Sequence, residues 1–135
     1  MRWKRRAAWG QRPLAADEWA VLHAEIFASD LIAVDDAVEE LTGFMDPFRV
    51  DIGAGPLVGV TDGQLSVSKA EFHDAAGRRG LKLSFYASGS GADPGEVAFA
   101  RLNSAGSALL DHLNAEGITV DSIRWTESDH IRRPF

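Results

Sequence analysis

The chain has 135 residues, 45% of them apolar and 25% charged, with a formal net charge of -6, four histidines and no cysteine. That length suits one domain able to bury roughly two-thirds of its unfolded surface in a single core. The missing cysteines exclude a disulfide framework, a thiolate metal site and a cysteine nucleophile, and the acidic balance excludes a surface that coats nucleic acid as a whole.

The charge is sorted into neighbouring blocks. Residues 1–12, MRWKRRAAWGQR, hold Arg2, Lys4, Arg5, Arg6 and Arg12 and no acid. Residues 13–48 hold nine carboxylates, Asp17, Glu18, Glu25, Asp30, Asp35, Asp36, Glu39, Glu40 and Asp46, and no Lys or Arg. Sorting of this kind speaks of partners rather than of chemistry. The basic arm interleaves Trp3 and Trp9 with its cations, a combination that suits phosphate contact with base stacking, or docking on an acidic protein surface. GQRPLAADEW follows it instead of an apolar run, so an export signal is not expected, and the expected location is cytoplasmic. No apolar stretch approaches the roughly 18 to 20 residues of a membrane helix, and no membrane partner is expected.

Over residues 14–43 the apolar side chains Trp19, Leu22, Ile26, Phe27, Leu31, Val34, Val38, Leu41 and Met45 recur at helical spacing with one shift near Ile26. The spacing predicts two helices, or one kinked helix, with Ser29 or Asp30 as an internal cap, a further capping-box pattern at Asp36 and Glu39, and a stop at Gly43. From Phe48 the period changes to two. FRVDI, LVGV and QLSVS read as strands, the last two joined by a tight turn at Asp62-Gly63. HDAAGRRG is a looser segment, and GLKLSFYA and EVAFARL read as an antiparallel pair around SGSGADPG. Asn103-Ser104 would cap a helix that turns Leu109, Leu110 and Leu113 to the sheet and ends at Gly117, with ITVDSIRW as a closing strand. The expected fold is α+β. An N-terminal helix pair precedes a mostly antiparallel sheet of five to six strands built from hairpins, and one C-terminal helix packs on it before a closing strand. Its expected organisation is an arm over 1–12, a single domain over 13–126 and a tail over 127–135.

VDIGAGP, residues 50–56, resembles the glycine-rich first motif of S-adenosylmethionine-dependent methyltransferases. There a strand ends in glycines so that backbone approaches the cofactor at a helix N-terminus. The residues after it, PLVGV, read instead as a strand entering a hairpin, so a glycine-rich turn without cofactor is expected. Three histidines neighbour an aspartate (His73-Asp74, Asp111-His112 and Asp129-His130), but adjacent residues do not face one another on a helix or strand. With no HxH, HxxxH or HExxH spacing, neither a metal nor any other cofactor is expected. Serines are plentiful without a GxSxG elbow, so no catalytic residue is assigned. His73, Arg78 and Arg79 make the segment around GRRG a candidate ligand loop.

These readings rank three functions. The first is a non-enzymatic interaction or assembly protein. Its arm (Arg2, Trp3, Lys4, Arg5, Arg6, Trp9 and Arg12) docks on an acidic partner, either another subunit through Asp35, Asp36, Glu39 and Glu40, or nucleic acid through the arm alone. The second is a small acidic inhibitor that binds a basic toxin or nuclease, as immunity proteins do. The third is an enzyme whose pocket gathers His73, Arg78, Arg79 and Tyr86.

Overall fold

Residues 18–27, expected to open a helix pair, form a β-strand. The computed structural model describes Leu14 and residues 18–42, 65–89 and 92–132. In chain order these form β1 (Glu18–Phe27), α1 (Leu31–Thr42), β2 (Leu65–His73), β3 (Arg79–Ser88), α2 (Pro94–Ala115) and β4 (Ser122–Arg132). The strands make one antiparallel sheet in the order β2-β3-β1-β4. Among the described residues α1 thus falls in the chain between β1 and β2, which have β3 between them in the sheet, and α2 falls between β3 and β4, which have β1 between. Two interlocked split β-α-β units of this kind are the ferredoxin-like arrangement. The α+β class and the antiparallel sheet are as expected. The helix pair is corrected to a strand followed by one helix, and the sheet of the described residues has four strands rather than five or six.

β1 misleads because it is a central strand buried on both faces. Ala20, Leu22, Ala24 and Ile26 join the core beneath the helices, while Val21, Glu25 and Phe27, which point the other way, are also buried. Alternation vanishes from such a strand, and a continuous apolar run fits a helix equally well. β3 keeps the signal: Leu81, Leu83, Phe85 and Ala87 enter the core and Lys82 and Tyr86 do not.

The strand expected over residues 96–102 is the first part of α2. Asp93 accepts a hydrogen bond from the Glu96 N–H at 3.2 Å and Pro94 opens the first turn, so Asp-Pro-Gly-Glu is a helix start rather than a turn between strands. From there Ala98, Leu102, Ala105, Leu109 and Leu113 recur three and four apart and are buried against the sheet. Leu110, expected with them, is only partly buried.

The turn at Asp62-Gly63, the strands over 48–52 and 57–60 and the glycine-rich VDIGAGP lie outside the described residues. β2 does not stop at Ser68 but runs to His73 and pairs with β3 from Leu65↔Ala87 to His73↔Arg79. The segment read as loose is the hairpin loop. The Asp74 carboxylate accepts from the N–H groups of Ala76 and Arg78, at 2.9 and 2.8 Å, and Gly77 closes the turn at φ 83°. The five residues between the strands are closed by the Asp74 N–H donating to the Arg78 carbonyl at 3.0 Å, with glycine in the left-handed region. Gly77→Ala meets no neighbouring atom within 4 Å, so its expected cost of about 1 kcal/mol in urea unfolding is conformational alone. β4 begins at Ser122 rather than at Ile118 and continues to Arg132, taking in residues of the segment 127–135. No helix among the described residues is long and apolar enough to cross a membrane.

Candidate functional site

The acidic helix is positioned by its cap. Asp30 accepts from the backbone N–H of Ala33 at 3.1 Å and so starts α1, after which Val34, Ala37, Val38 and Leu41 turn into the core. Two sets of polar residues then face different ways. Asp35 and Glu39, one turn apart, lean toward β2, whereas Ile32, Asp36 and Glu40, spaced four apart, form an exposed stripe. Ile32, 75% exposed, is the one large hydrophobic residue so exposed among the described residues.

β2 supplies the counter-charge. Lys69 follows Leu65 and Val67 on the core-facing side of the strand, its side chain only 4% exposed, and its ammonium donates to Asp35 at 2.5 Å and to Glu39 at 2.8 Å. Burial alone would lower the pKa of this ammonium. The hydrogen bonds and negative charges of Asp35 and Glu39 outweigh it and hold the group above the ordinary lysine value. Repulsion among the carboxylates of α1 is thereby relieved from within at two positions.

Beside this clamp, α1 and the β2–β3 hairpin enclose a groove of about 430 Å³. Its apolar wall is Leu31, Ile32, Ala70 and Leu81, and its rim carries the Lys69 clamp and the exposed Glu71–Arg79 ion pair. The volume falls within the range of ligand and peptide clefts, roughly 300 to 1,000 Å³. Both cations of the rim are already paired, and three carboxylates face them, so an anionic occupant would have to displace a carboxylate while a cationic one would not. The chemistry favours a basic, partly apolar occupant.

The face of the sheet opposite the helices is polar along its middle. Ser68, Ser84, His23 and Thr126 stand in one cross-strand row, and His23 Nδ1 lies 2.7 Å from the Ser84 hydroxyl. Burial, aided by the positive charge of Lys82 and opposed by Glu25, lowers the His23 pKa, so the imidazole is held neutral. Ser84 is buried, and the pair acts as a strand-to-strand hydrogen bond. In the next row Glu25 accepts from Arg124.

The residues singled out in the sequence are dispersed. Arg2, Trp3, Lys4, Arg5, Arg6, Trp9 and Arg12 lie outside the described residues. Asp35 and Glu39 are the Lys69 clamp, Asp36 is exposed, and Glu40 lies 4.0 Å from His112 of α2, beyond the groove. His73 and Arg79 face each other across the hairpin. Arg78 stacks 4.8 Å over the Phe27 ring and pairs with Asp121, and Arg79 pairs with Glu71. Tyr86 pairs with Ser66, seven residues from His73 along β2, which is roughly 20 Å at the rise of a strand. It does not join the hairpin loop. Sequence reasoning missed Lys69 and Ile32. Continuing the alternation of Leu65 and Val67 by one step would have flagged a lysine on a core face, and Ile32 stands off the apolar stripe of its helix. No protein-family model matches the chain, and no curated protein matches it.

Proposed function

We propose that the chain is a non-enzymatic interaction protein that assembles with copies of itself, the basic arm of one copy docking on the groove and exposed stripe of α1 in another. The observation that carries this reading is Ile32, 75% exposed at the mouth of the groove and one helical turn from the exposed Asp36. Framed by carboxylates and continuous with the groove, that side chain suits a partner that brings apolar bulk and positive charge together. The arm has that composition: five cations interleaved with Trp3 and Trp9. Charge complementarity supports a second copy as the occupant, because donor and acceptor are then parts of one sequence.

The test is light scattering on the full chain, on a variant lacking residues 1–12 and on Ile32→Ser combined with Asp36→Asn. A mass well above 14.6 kDa that falls to the monomer value in both variants, and in wild type as salt is raised, is the expected result. A monomeric wild-type protein across the micromolar range, or a multimer indifferent to both changes, would overturn the reading.

A further inference from the structure

Beyond the groove, at the far end of α1, three side chains converge: Glu40, the last member of the exposed stripe, and His112 and Glu116 at the end of α2, which the assembly reading does not use. We infer that Glu40, His112 and Glu116 form a binding site for a divalent transition-metal ion of the zinc class, clipping the C-terminal ends of the two helices together. One ligand atom from each lies within 4.8 Å of the others, and His112 Nε2 is 4.0 Å from the Glu40 carboxylate. A tetrahedral ion with bonds of about 2.0 to 2.1 Å spaces its ligand atoms about 3.3 Å apart, so closing the site needs only side-chain movement of about an ångström.

The spacing is built into the helices. His112 and Glu116 are four apart, one above the other on the same face of α2. Glu116 is the C-cap residue but keeps right-handed helical angles, φ -81° and ψ -1°, so its side chain stays in register with His112 before Gly117 turns the chain away at φ 68°. Glu40 comes from the last turn of α1. Two helices thus bring a carboxylate, an imidazole and a second carboxylate to one point.

Two further observations favour a cation there. The His112 side chain is 15% exposed, and its Nε2 atom is buried without a hydrogen-bond partner. An imidazole nitrogen in that state lacks a proton donor or acceptor that a metal would replace. The field at the site is also negative: it lies at the C-terminal end of α2 and on the last turn of α1, which carries no basic residue. An imidazole nitrogen with two carboxylate oxygens suits zinc, cobalt, nickel or manganese better than calcium or magnesium, which prefer all-oxygen shells. Glu40 is 62% exposed, so the fourth position opens to water and the ion can enter from solvent.

Calorimetric titration of the metal-free full chain with zinc chloride tests the site, with cobalt chloride and its visible absorption bands as a second probe. The expected result is one equivalent bound, a raised melting temperature, four-coordinate cobalt bands, and affinity reduced at least tenfold in His112→Gln and in Glu116→Gln. Magnesium chloride at equal concentration should produce no shift. Should His112→Gln fail to fold, Glu40→Gln, a change at an exposed side chain, carries the test through the same loss of affinity. Absence of saturable binding, or zinc affinity unchanged in a folded His112→Gln or Glu40→Gln, would overturn the assignment and leave an ordinary histidine–glutamate contact between helix ends.

Discussion

Lys69→Met is expected to lower the free energy of unfolding by about 2–3 kcal/mol, read as a fall in urea midpoint at unchanged slope. Removing one member of a fully buried ion pair costs about 3–5 kcal/mol, because the partner is left charged and dry. Here the lysine side chain is 4% exposed but Asp35 and Glu39 are 41% and 24% exposed, so the abandoned carboxylates regain part of their hydration and the cost falls below that range. Methionine keeps the apolar stem, which separates the effect of charge from that of packing. The triple variant Lys69→Met, Asp35→Asn, Glu39→Gln removes every charge of the clamp and should recover to within about 1 kcal/mol of wild type.

The same lysine predicts an alkaline limb. Its folded pKa is raised above the unfolded value of 10.5, so the folded state holds the proton more tightly. The clamp therefore contributes fully below pH 10.5, and the contribution is lost as pH rises through the raised folded value. Unfolding curves taken across that window should steepen in pH for wild type and not for Lys69→Met. An unchanged midpoint at pH 7, or identical alkaline limbs, would mean that the clamp is decorative.

The clamp also shows how far sequence reasoning reaches into this molecule. A block of carboxylates without Lys or Arg looks as though it awaits an external cation, and two of its members already have an internal one that lies 34 and 30 residues away on β2. No local pattern contains that pairing, since it depends on α1 being laid over β2. What can be read locally is what is decided locally. Asp30 before an apolar stripe starts α1, alternation marks β3, and a glycine after α2 ends it. β1 defeats the same logic because a central strand buried on both faces has no period, and its hydrogen bonds go to β3 and β4, more than 50 residues downstream. The candidate site divides in the same way. The acidic helix and the hairpin arginines could be picked out by charge, whereas Ile32 and the cross-helix meeting of Glu40 with His112 and Glu116 follow from tertiary placement. The one local trace of the latter is a histidine followed four residues later by a glutamate, visible once α2 is known to be helical there.

Ala98→Asp is expected to cost more than about 3 kcal/mol, enough to unfold a marginal domain, while Ala100→Asp two residues on stays within about 0.5 kcal/mol of wild type. The pair separates the two readings of residues 96–102. In a strand, positions 98 and 100 share a face, opposite Val97 and Phe99, and the two substitutions would behave alike. In α2, two residues amount to about 200° of rotation, so the positions point in nearly opposite directions. Ala98 is fully buried against the sheet with Leu102 and Ala105, and Ala100 is exposed. An aspartate at 98 would place a carboxylate in an apolar layer, and the group must either stay charged at high desolvation cost or take up a proton. Its destabilisation should accordingly shrink as pH falls toward 5, because protonation removes most of the penalty. An aspartate at 100 joins a solvated helix face near the N-terminal end of α2, where negative charge is tolerated or mildly favoured. Thermal melts of the two variants at pH 7 and pH 5 decide the matter. Equal effects at both positions would restore the strand, and a large loss at 100 with none at 98 would place the opposite face of the helix against the sheet.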